Sequence, residues 1–224
     1  MQAQFLIMLL FLICFFQSHA QEREIKLKIK FGLNYSTISE NNESDLYSTK
    51  NSYVPGFHFG IYSEFHTEHT FQIETSLKYS SIGGETEVEG IINGKQSKYT
   101  VDTELEYVEL NACIIKSYGE FIPGFYTLAG LYASVGVAGK IEFEGYQAQK
   151  RIFSSREINW GDDTTEDDFR KGDFGIKAGI GVKIKRVIAE VRYQHGLINI
   201  SPYTENNYSN KNRVFSFSLG YQFL

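Results

Sequence analysis

Residues 213–224 alternate strictly between bulky apolar side chains and small or polar ones. The bulky residues take every second position: Phe215, Phe217, Leu219, Tyr221 and Phe223. The positions between them hold Ser216, Ser218, Gly220 and Gln222. Successive side chains on a β-strand point to opposite faces, so this segment predicts a strand with one apolar face and one small, polar face.

The same period-two alternation recurs along the chain and predicts eight strands. They lie at residues 25–38, 54–65, 70–82, 103–117, 125–144, 173–185, 187–199 and 213–224. No segment sustains a period of 3.6, so no helix is predicted. In the fourth strand, Leu105 and Tyr107 fall on the opposite phase from Val108 and Leu110. We expect a β-bulge near Tyr107 to restore the alternation.

Strand length and loop length both favour a membrane barrel. The predicted strands exceed the roughly five or six residues usual in soluble sheets and match membrane strands of about 9–11 residues with extensions. Short turns are predicted at 66–69, 118–124 and 185–186, and long loops at 39–53, 83–102, 145–172 and 200–212. Outer-membrane barrels alternate short periplasmic turns with long outer loops in this way, which predicts that both termini are periplasmic.

The polar faces of the strands distinguish a membrane barrel from a soluble one. A soluble lipocalin-like barrel has its apolar face inside, whereas a membrane barrel has it outside. In the strand at 173–185 the polar face is Gly175, Lys177, Gly179, Gly181 and Lys183, and small residues suit a narrow interior. Charges of both signs on these faces could pair in a lumen. We therefore predict an eight-stranded antiparallel transmembrane β-barrel of the outer membrane, with a soluble lipocalin-like carrier as an alternative.

The N-terminal residues 1–20 have the pattern of a secretory signal peptide. The apolar run at 5–16 is shorter than the about 20 residues that span a bilayer, and Ser18 and Ala20 stand at the −3 and −1 positions of a cleavage site before Gln21. The barrel domain is then residues 21–224. It retains only Cys113, which excludes an internal disulfide. The formal net charge of −5 gives no indication of nucleic-acid binding.

Seven stretches of the chain resemble the PorT-type family of small outer-membrane β-barrel proteins of Bacteroidota. They are KFGLNYSTIS at 30–39, PGFHFGIYSEF at 55–65, FQIETSLKYSSIGG at 71–84, LEYVELNACIIKSYG at 105–119, FYTLAGLYASVGVAGK at 125–140, DFGIKAGIGVKI at 173–184 and FSFSLGYQFL at 215–224. The resemblance implies the barrel fold and a place in the cell envelope. One member of that family is needed for protein secretion, and the family supplies no catalytic residues to transfer.

The longest predicted loop contains an acidic segment at residues 161–168. Its five carboxylates could hold a hard cation such as Ca²⁺, but their spacing differs from that of a calcium-binding loop. A solvated outer loop that shares cations with lipopolysaccharide is the simpler interpretation. We therefore assign no metal site.

Histidines and serines near the rim raise the possibility of a barrel enzyme. His195 lies towards the outer end of its strand, six residues before Ser201. Its phase puts it on the apolar face with Tyr193, which favours a structural role. His58 is predicted in the lumen, and His66 and His69 at a periplasmic turn without an evident third ligand. No catalytic, cofactor-binding or metal residue is assigned.

These observations predict a non-enzymatic barrel that is structural, adhesive or accessory to outer-membrane assembly or protein secretion. Its expected partners are outer-membrane lipid and lipopolysaccharide, the barrel-insertion machinery and envelope or secretion proteins. An outer-membrane barrel enzyme acting on lipid is the alternative. We do not expect an open diffusion pore, because side chains fill the lumen of an eight-stranded barrel.

Overall fold

The computed structural model describes residues 25–41, 48–66, 71–92, 95–119, 122–147, 150–204 and 207–223. The predicted signal peptide, His69 and Leu224 lie outside these residues. Among the described residues, no helix is long and apolar enough to cross a membrane.

The described residues form ten β-strands. These are β1 (Ile25–Asn41), β2 (Ser48–Ser52), β3 (Val54–His66), β4 (Phe71–Ile92), β5 (Lys95–Ser117), β6 (Phe125–Gln147), β7 (Lys150–Glu157), β8 (Gly172–Ile184), β9 (Val187–Gly196) and β10 (Ser209–Gln222).

Eight of the strands close into a ring in which every pairing is antiparallel. The order around the ring is β1, β3, β4, β5, β6, β8, β9 and β10, and β10 pairs back with β1. The short strands β2 and β7 stand outside the ring and pair with the outer parts of β4 and β6. Closure satisfies the backbone hydrogen bonds that an open edge would expose to lipid. The predicted eight-stranded antiparallel barrel is confirmed.

The wall of the barrel is much longer on one side than on the other. Strands β4, β5 and β6 have 22, 23 and 23 residues, whereas β8, β9 and β10 have 13, 10 and 14. The prediction of a long loop at 83–102 was therefore wrong, and among the described residues the loop predicted at 145–172 is confirmed only for 158–171. Strands β4 and β5 stay paired up to Ile92 and Lys95, and β7 pairs with the end of β6. In the predicted loop at 39–53, β1 continues to Asn41 and β2 forms.

Apolar side chains cover the outside of the ring. On β1, for example, Ile29 and Phe31 are 44% and 60% exposed, while Lys30 between them is 1% exposed. The same arrangement recurs on the other ring strands, so the apolar face points outwards, as predicted for a membrane barrel. A lipocalin-like carrier would require the reverse orientation, and that alternative is wrong.

The β-bulge predicted near Tyr107 is present, but it does not have the predicted effect. Glu106 pairs with Ala138 and Tyr107 pairs with Gly136, so the extra residue is Val137 on the neighbouring strand β6. Leu105 and Tyr107 keep the phase of the interior positions and are 0% and 2% exposed. The expectation that they return to the lipid-facing side was wrong.

Candidate functional site: interior, outer mouth and projecting sheet

The periplasmic half of the interior is filled by a network of buried charges. Its members come from β1, β3, β4 and β9 and are Lys28, Lys30, Glu64, Glu74, Glu190 and Arg192. Glu74 is the centre, with Lys28 at 3.1 Å, Lys30 at 3.0 Å and Arg192 at 2.5 Å from its carboxylate. Burial makes such charges costly unless they are paired, and here each carboxylate contacts at least one cation.

Two tyrosines complete this network. The ring of Tyr62 lies 4.3 Å from the ammonium of Lys30 and 5.4 Å from the guanidinium carbon of Arg192. The hydroxyl of Tyr126 donates to Glu190 at 2.7 Å. Cation–π contacts of this kind are strongest where water is excluded. Paired charged and aromatic side chains therefore occupy much of the periplasmic half of the lumen, beside a buried apolar cluster of Cys113, Ile115, Leu128 and Ile188.

A second polar group lies further along the lumen. Glu109 on β5 pairs with Lys78 at 3.0 Å and also with Lys177. His58, which is 2% exposed, contacts Asn34 at 2.8 Å and Ser218 at 2.9 Å. The predicted pairing of opposite charges in the lumen and the predicted interior position of His58 are both confirmed.

Glycines on the polar faces make room for the interior tyrosines. A Cβ atom at Gly181 would lie 2.3 Å from the ring of Tyr126, and one at Gly175 would lie 2.6 Å from the ring of Tyr132. The rings of Tyr126 and Tyr132 therefore occupy the space that side chains on β8 would need. This explains the glycine-rich polar face of that strand.

An apolar cap closes the outer mouth of the lumen. Ring strands contribute Ile38, Ile82, Leu105, Tyr107 and Val214, and the loops contribute Ile158, Phe169 and Ile200. Trp160 packs edge-on against Tyr107 with ring centroids 5.6 Å apart. Backbone hydrogen bonds hold the loops in place, including one of 2.8 Å from Arg170 to the carbonyl of Ile200.

Sequence reasoning missed this cap. Its only signal was the pair Leu105 and Tyr107, two bulky apolar residues on the phase of the interior. The single tryptophan of the chain, Trp160, gave no such signal, because it lies within the long loop predicted at 145–172.

The acidic segment 161–168 uses its carboxylates to hold its own turns. Both oxygens of Asp168 accept hydrogen bonds of 2.6 Å from Arg156, and this guanidinium lowers the pKa of Asp168. Asp163 accepts from the backbone and hydroxyl of Thr165, at 2.8 and 2.7 Å. In the part of the chain that the structure describes, no three His, Cys, Asp or Glu residues are grouped to hold a metal ion.

The structure does not bring the enzyme candidates together. His195 lies on the outer face beside Tyr193, with ring centroids 6.1 Å apart. Ser201 is 4% exposed, and its hydroxyl accepts a 3.1 Å hydrogen bond from the backbone of Tyr203. Among the described residues, no hydrogen bond joins His195 to Ser201. His66 is half-buried near the periplasmic end and lies 3.1 Å from Lys26.

Beyond the lipid-facing band, β2, β7 and the outer parts of β4, β5 and β6 form a sheet that we call the projecting sheet. Its face away from the barrel axis is acidic. Glu85, Asp102 and Glu142 lie directly opposite one another on β4, β5 and β6. Partial burial, with the neighbouring carboxylates of Glu85, Glu142 and Glu144, raises the pKa of Asp102.

The face of the projecting sheet that turns towards the barrel axis is apolar. Its residues alternate with the acidic ones and are Val88, Tyr99, Val101, Ile141 and Phe143. All five are half-buried. The rings of Tyr99 and Phe143 stack with centroids 5.1 Å apart. The two faces of one sheet therefore differ sharply in chemistry.

The closed ring, the apolar exterior and the paired polar interior define an integral β-barrel protein of the outer membrane. The outer membrane protein beta-barrel domain matches residues 15–201 of the chain. The chain therefore belongs to this family, and the outer membrane is its location.

Several solved structures are similar to this chain at low sequence identity. Neisserial surface protein A is 11% identical with a TM-score of 0.45, and the match covers 88% of this chain and 97% of that one. The attachment invasion locus protein Ail of Yersinia pestis is 14% identical, with a TM-score of 0.42 and coverage of 89% and 99%. The outer membrane protease OmpT of Escherichia coli is 10% identical, with a TM-score of 0.38 and coverage of 90% and 97%. A search of curated protein sequences returned no match.

Proposed function

We propose that this chain is a non-enzymatic surface barrel whose projecting sheet binds a partner outside the cell. The observation that carries the proposal is the projecting sheet itself, which continues β4, β5 and β6 beyond the lipid-facing band. A membrane strand needs about 9–11 residues, and β4 has 22. At about 3.4 Å per residue, the remainder amounts to roughly 40 Å of strand.

The composition of the projecting sheet supports a binding role. Its apolar inner face is only half-buried, and contiguous apolar surface that stays accessible to solvent usually marks an interaction site. On the edge strand β7, Phe153 is 60% exposed. Edge strands also offer backbone groups to an incoming strand.

The barrel itself supports an anchoring role rather than transport or catalysis. Charged pairs fill the lumen and the apolar cap closes its outer mouth, so the interior serves as a packed support for the projecting sheet. His195 and Ser201, the candidates for lipid chemistry, have separate structural partners.

Site-specific photo-crosslinking in intact cells tests this proposal. A photoreactive residue placed at Phe143 or Val101 on the inner face should give a discrete crosslinked protein. The same residue at Leu219 on the lipid-facing band is the matched control and should give none. Identical behaviour at Phe143 and Leu219 would contradict a partner-binding role for the projecting sheet.

The enzyme alternative has a separate test. The variants H195A and S201A should leave the lipid profile of isolated outer membranes unchanged. A lipid species that disappears in either variant, while the barrel still folds, would refute the non-enzymatic proposal.

The sequence resemblance to PorT-type barrels of Bacteroidota favours a more specific proposal, an accessory role in protein secretion. In a deletion strain, exported proteins should then accumulate in the periplasm and decrease in the medium. Unchanged secretion in the deletion strain would contradict the accessory role in secretion and leave the surface-binding proposal intact.

A further inference from the structure

The lipid-facing wall carries an apolar groove of about 750 Å³. We call it the wall groove, and its lining includes Ile114, Thr127, Ala129, Ala178, Tyr193 and Phe215. Ala129 and Ala178 lie directly opposite each other on β6 and β8. Their small side chains form the floor, and the bulky residues around them form the sides.

The wall groove climbs across the membrane. It follows a row of directly paired residues, Ile114, Ala129, Ala178, Tyr193 and Phe215. Ile114 lies near the periplasmic end of β5, whereas Phe215 lies in the outer half of β10. Strands of a closed barrel tilt by about 35–45° from its axis. A row of residues at right angles to the strands is therefore inclined to the membrane plane by the same angle. The groove therefore leads up to the outer interface.

A basic cluster stands at the upper end of the wall groove. It consists of His195, Lys211 and Arg213, which share the outward face of β9 and β10. Arg213 pairs with His195 in the strand register, one alternate position above the Tyr193–Phe215 pair. Two hydrogen bonds, of 2.9 and 3.0 Å, tie the guanidinium of Arg213 to the carbonyls of Gly196 and Asn212.

The two cations of this cluster, Lys211 and Arg213, lie opposite Ser39 and Thr37 of β1. Within the described ranges, no ion pair involves Lys211 or Arg213, and the charges of both act on His195. The opposite side of the rim is acidic, with Asp102, Glu104 and Glu142 on the outward faces of β5 and β6. A lipid phosphate at the rim is therefore attracted to β9 and β10 and repelled from β5 and β6.

We propose that the wall groove and the basic cluster bind one phosphate-bearing lipid of the outer leaflet. Its phosphate contacts Lys211 and Arg213, and one of its acyl chains follows the groove past Ala178 and Ala129. The proposal concerns the lipid-facing wall and does not depend on any partner of the projecting sheet.

Two arguments favour lipid over a second copy of this chain as the occupant. In a bilayer, an apolar groove at membrane depth is in contact with hydrocarbon chains from the outset. A symmetric contact between two copies would bring the same surface together and so place two basic clusters side by side. Like charges in such an interface oppose association.

Native mass spectrometry of the purified barrel in neutral detergent tests the proposal. The probes are monophosphoryl lipid A and, as a zwitterionic comparison, phosphatidylcholine. The wild-type barrel should retain one lipid A and discriminate against phosphatidylcholine. The double variant K211Q/R213Q should weaken lipid A binding by roughly tenfold or more, since each basic residue at a lipid surface contributes measurably.

The groove and the charges have matched controls. Filling the groove with A129L/A178L should also weaken lipid A binding, whereas A112L, on the lipid-facing side of β5 outside the groove, should not. K140Q removes one positive charge from the acidic side of the rim and should bind as the wild type does. The mobility shift between unheated and boiled samples verifies that each variant is folded.

Several results would overturn the proposal. Equal retention of phosphatidylcholine would mean that the phosphate is not recognised. Unchanged lipid A binding in K211Q/R213Q would mean that the basic cluster is not part of the site. Full displacement of lipid A by inorganic phosphate would mean that the wall groove contributes nothing to binding. A dimer that forms without lipid and is lost in A129L/A178L would assign the groove to a second copy of the chain.

Discussion

Glu74 is the residue on which the interior network depends most. It is 1% exposed and contacts three cations from two other strands. Composition alone predicted that charges of both signs would meet in the lumen. It could not predict that Glu74 meets Arg192, because that pairing depends on how strands distant in sequence close around the ring.

Replacement of Glu74 by glutamine should strongly destabilise the barrel. In E74Q, only two carboxylates, those of Glu64 and Glu190, remain to balance the three cations of the network. Removing one partner of a buried ion pair costs about 3–5 kcal/mol, because the other charge is left unpaired. Urea unfolding in lipid vesicles, followed by the fluorescence of the single tryptophan, measures this loss. The control E87Q removes the partly exposed pair with Lys98 and should cost less than about 1 kcal/mol. Equal losses in both variants would contradict the central role of Glu74.

Gly130 should tolerate no side chain, because two strands approach closely there. A Cβ atom at this position would lie 2.1 Å from the carbonyl oxygen of Ala112 and 2.5 Å from the Cα of Cys113. Backbone atoms cannot move aside as a flexible side chain can, so G130A should lose about 1–3 kcal/mol of stability. G172A is the control, since no atom lies within 4 Å of the corresponding Cβ. If G130A and the wild type had the same midpoint of urea unfolding, this interpretation would be wrong.

At the scale of elements, the sequence predicted the ring strands better than the structures above them. A ring strand such as β8 alternates apolar residues with glycine and lysine, which makes its period visible. In the upper part of β4, Glu85 and Glu87 also alternate with Thr86 and Val88, but only one of these residues is strongly apolar. The hydrophobic period alone therefore does not reveal the extension of β4. Pairing with β5 stabilises this extension along its length.

The apolar cap was unpredictable for a different reason. Ile158, Trp160 and Phe169 join the apolar cluster of Tyr107 only because their loop folds back over the mouth of the barrel. Those contacts connect residues far apart in sequence, and no local pattern encodes them. The acidic composition of segment 161–168 pointed instead to a solvated loop.

The fold of this loop should weaken in acid. Hydrogen bonds from Arg156 lower the pKa of Asp168 below its ordinary value of 3.8. A lowered carboxyl pKa adds stability that is complete above 3.8 and is lost as the pH falls through the lowered value. The protection of residues 158–170 against hydrogen exchange, relative to the intrinsic exchange rate at each pH, should therefore decrease below pH 3.8. R156Q should accelerate exchange at neutral pH and remove most of this dependence, whereas R151Q, whose partner is Glu144, should not. An unchanged pH dependence in R156Q would contradict the role of the Arg156–Asp168 pair.

At the scale of the whole molecule, the barrel combines a sealed lumen with an asymmetric outer surface. The lumen is closed twice in series, by the charged network around Glu74 and by the apolar cap around Tyr107. The long wall of β4, β5 and β6 carries the acidic and apolar faces of the projecting sheet. The short wall of β9 and β10 carries the basic cluster at lipid level. The surface proposed to bind a partner and the surface proposed to bind lipid therefore lie on opposite sides of one barrel.

The double closure predicts that the barrel does not conduct ions. In planar lipid bilayers the wild-type protein should show no steady conductance, and a 16-stranded porin, whose lumen is an aqueous channel, provides the positive control. The triple variant I158A/W160A/F169A removes much of the cap but leaves the charged network, so it should also remain closed. Its loop should become more accessible to protease, which establishes that the cap has been disrupted. Steady conductance in this variant would mean that the cap alone seals the lumen, and steady conductance in the wild type would mean that neither layer does.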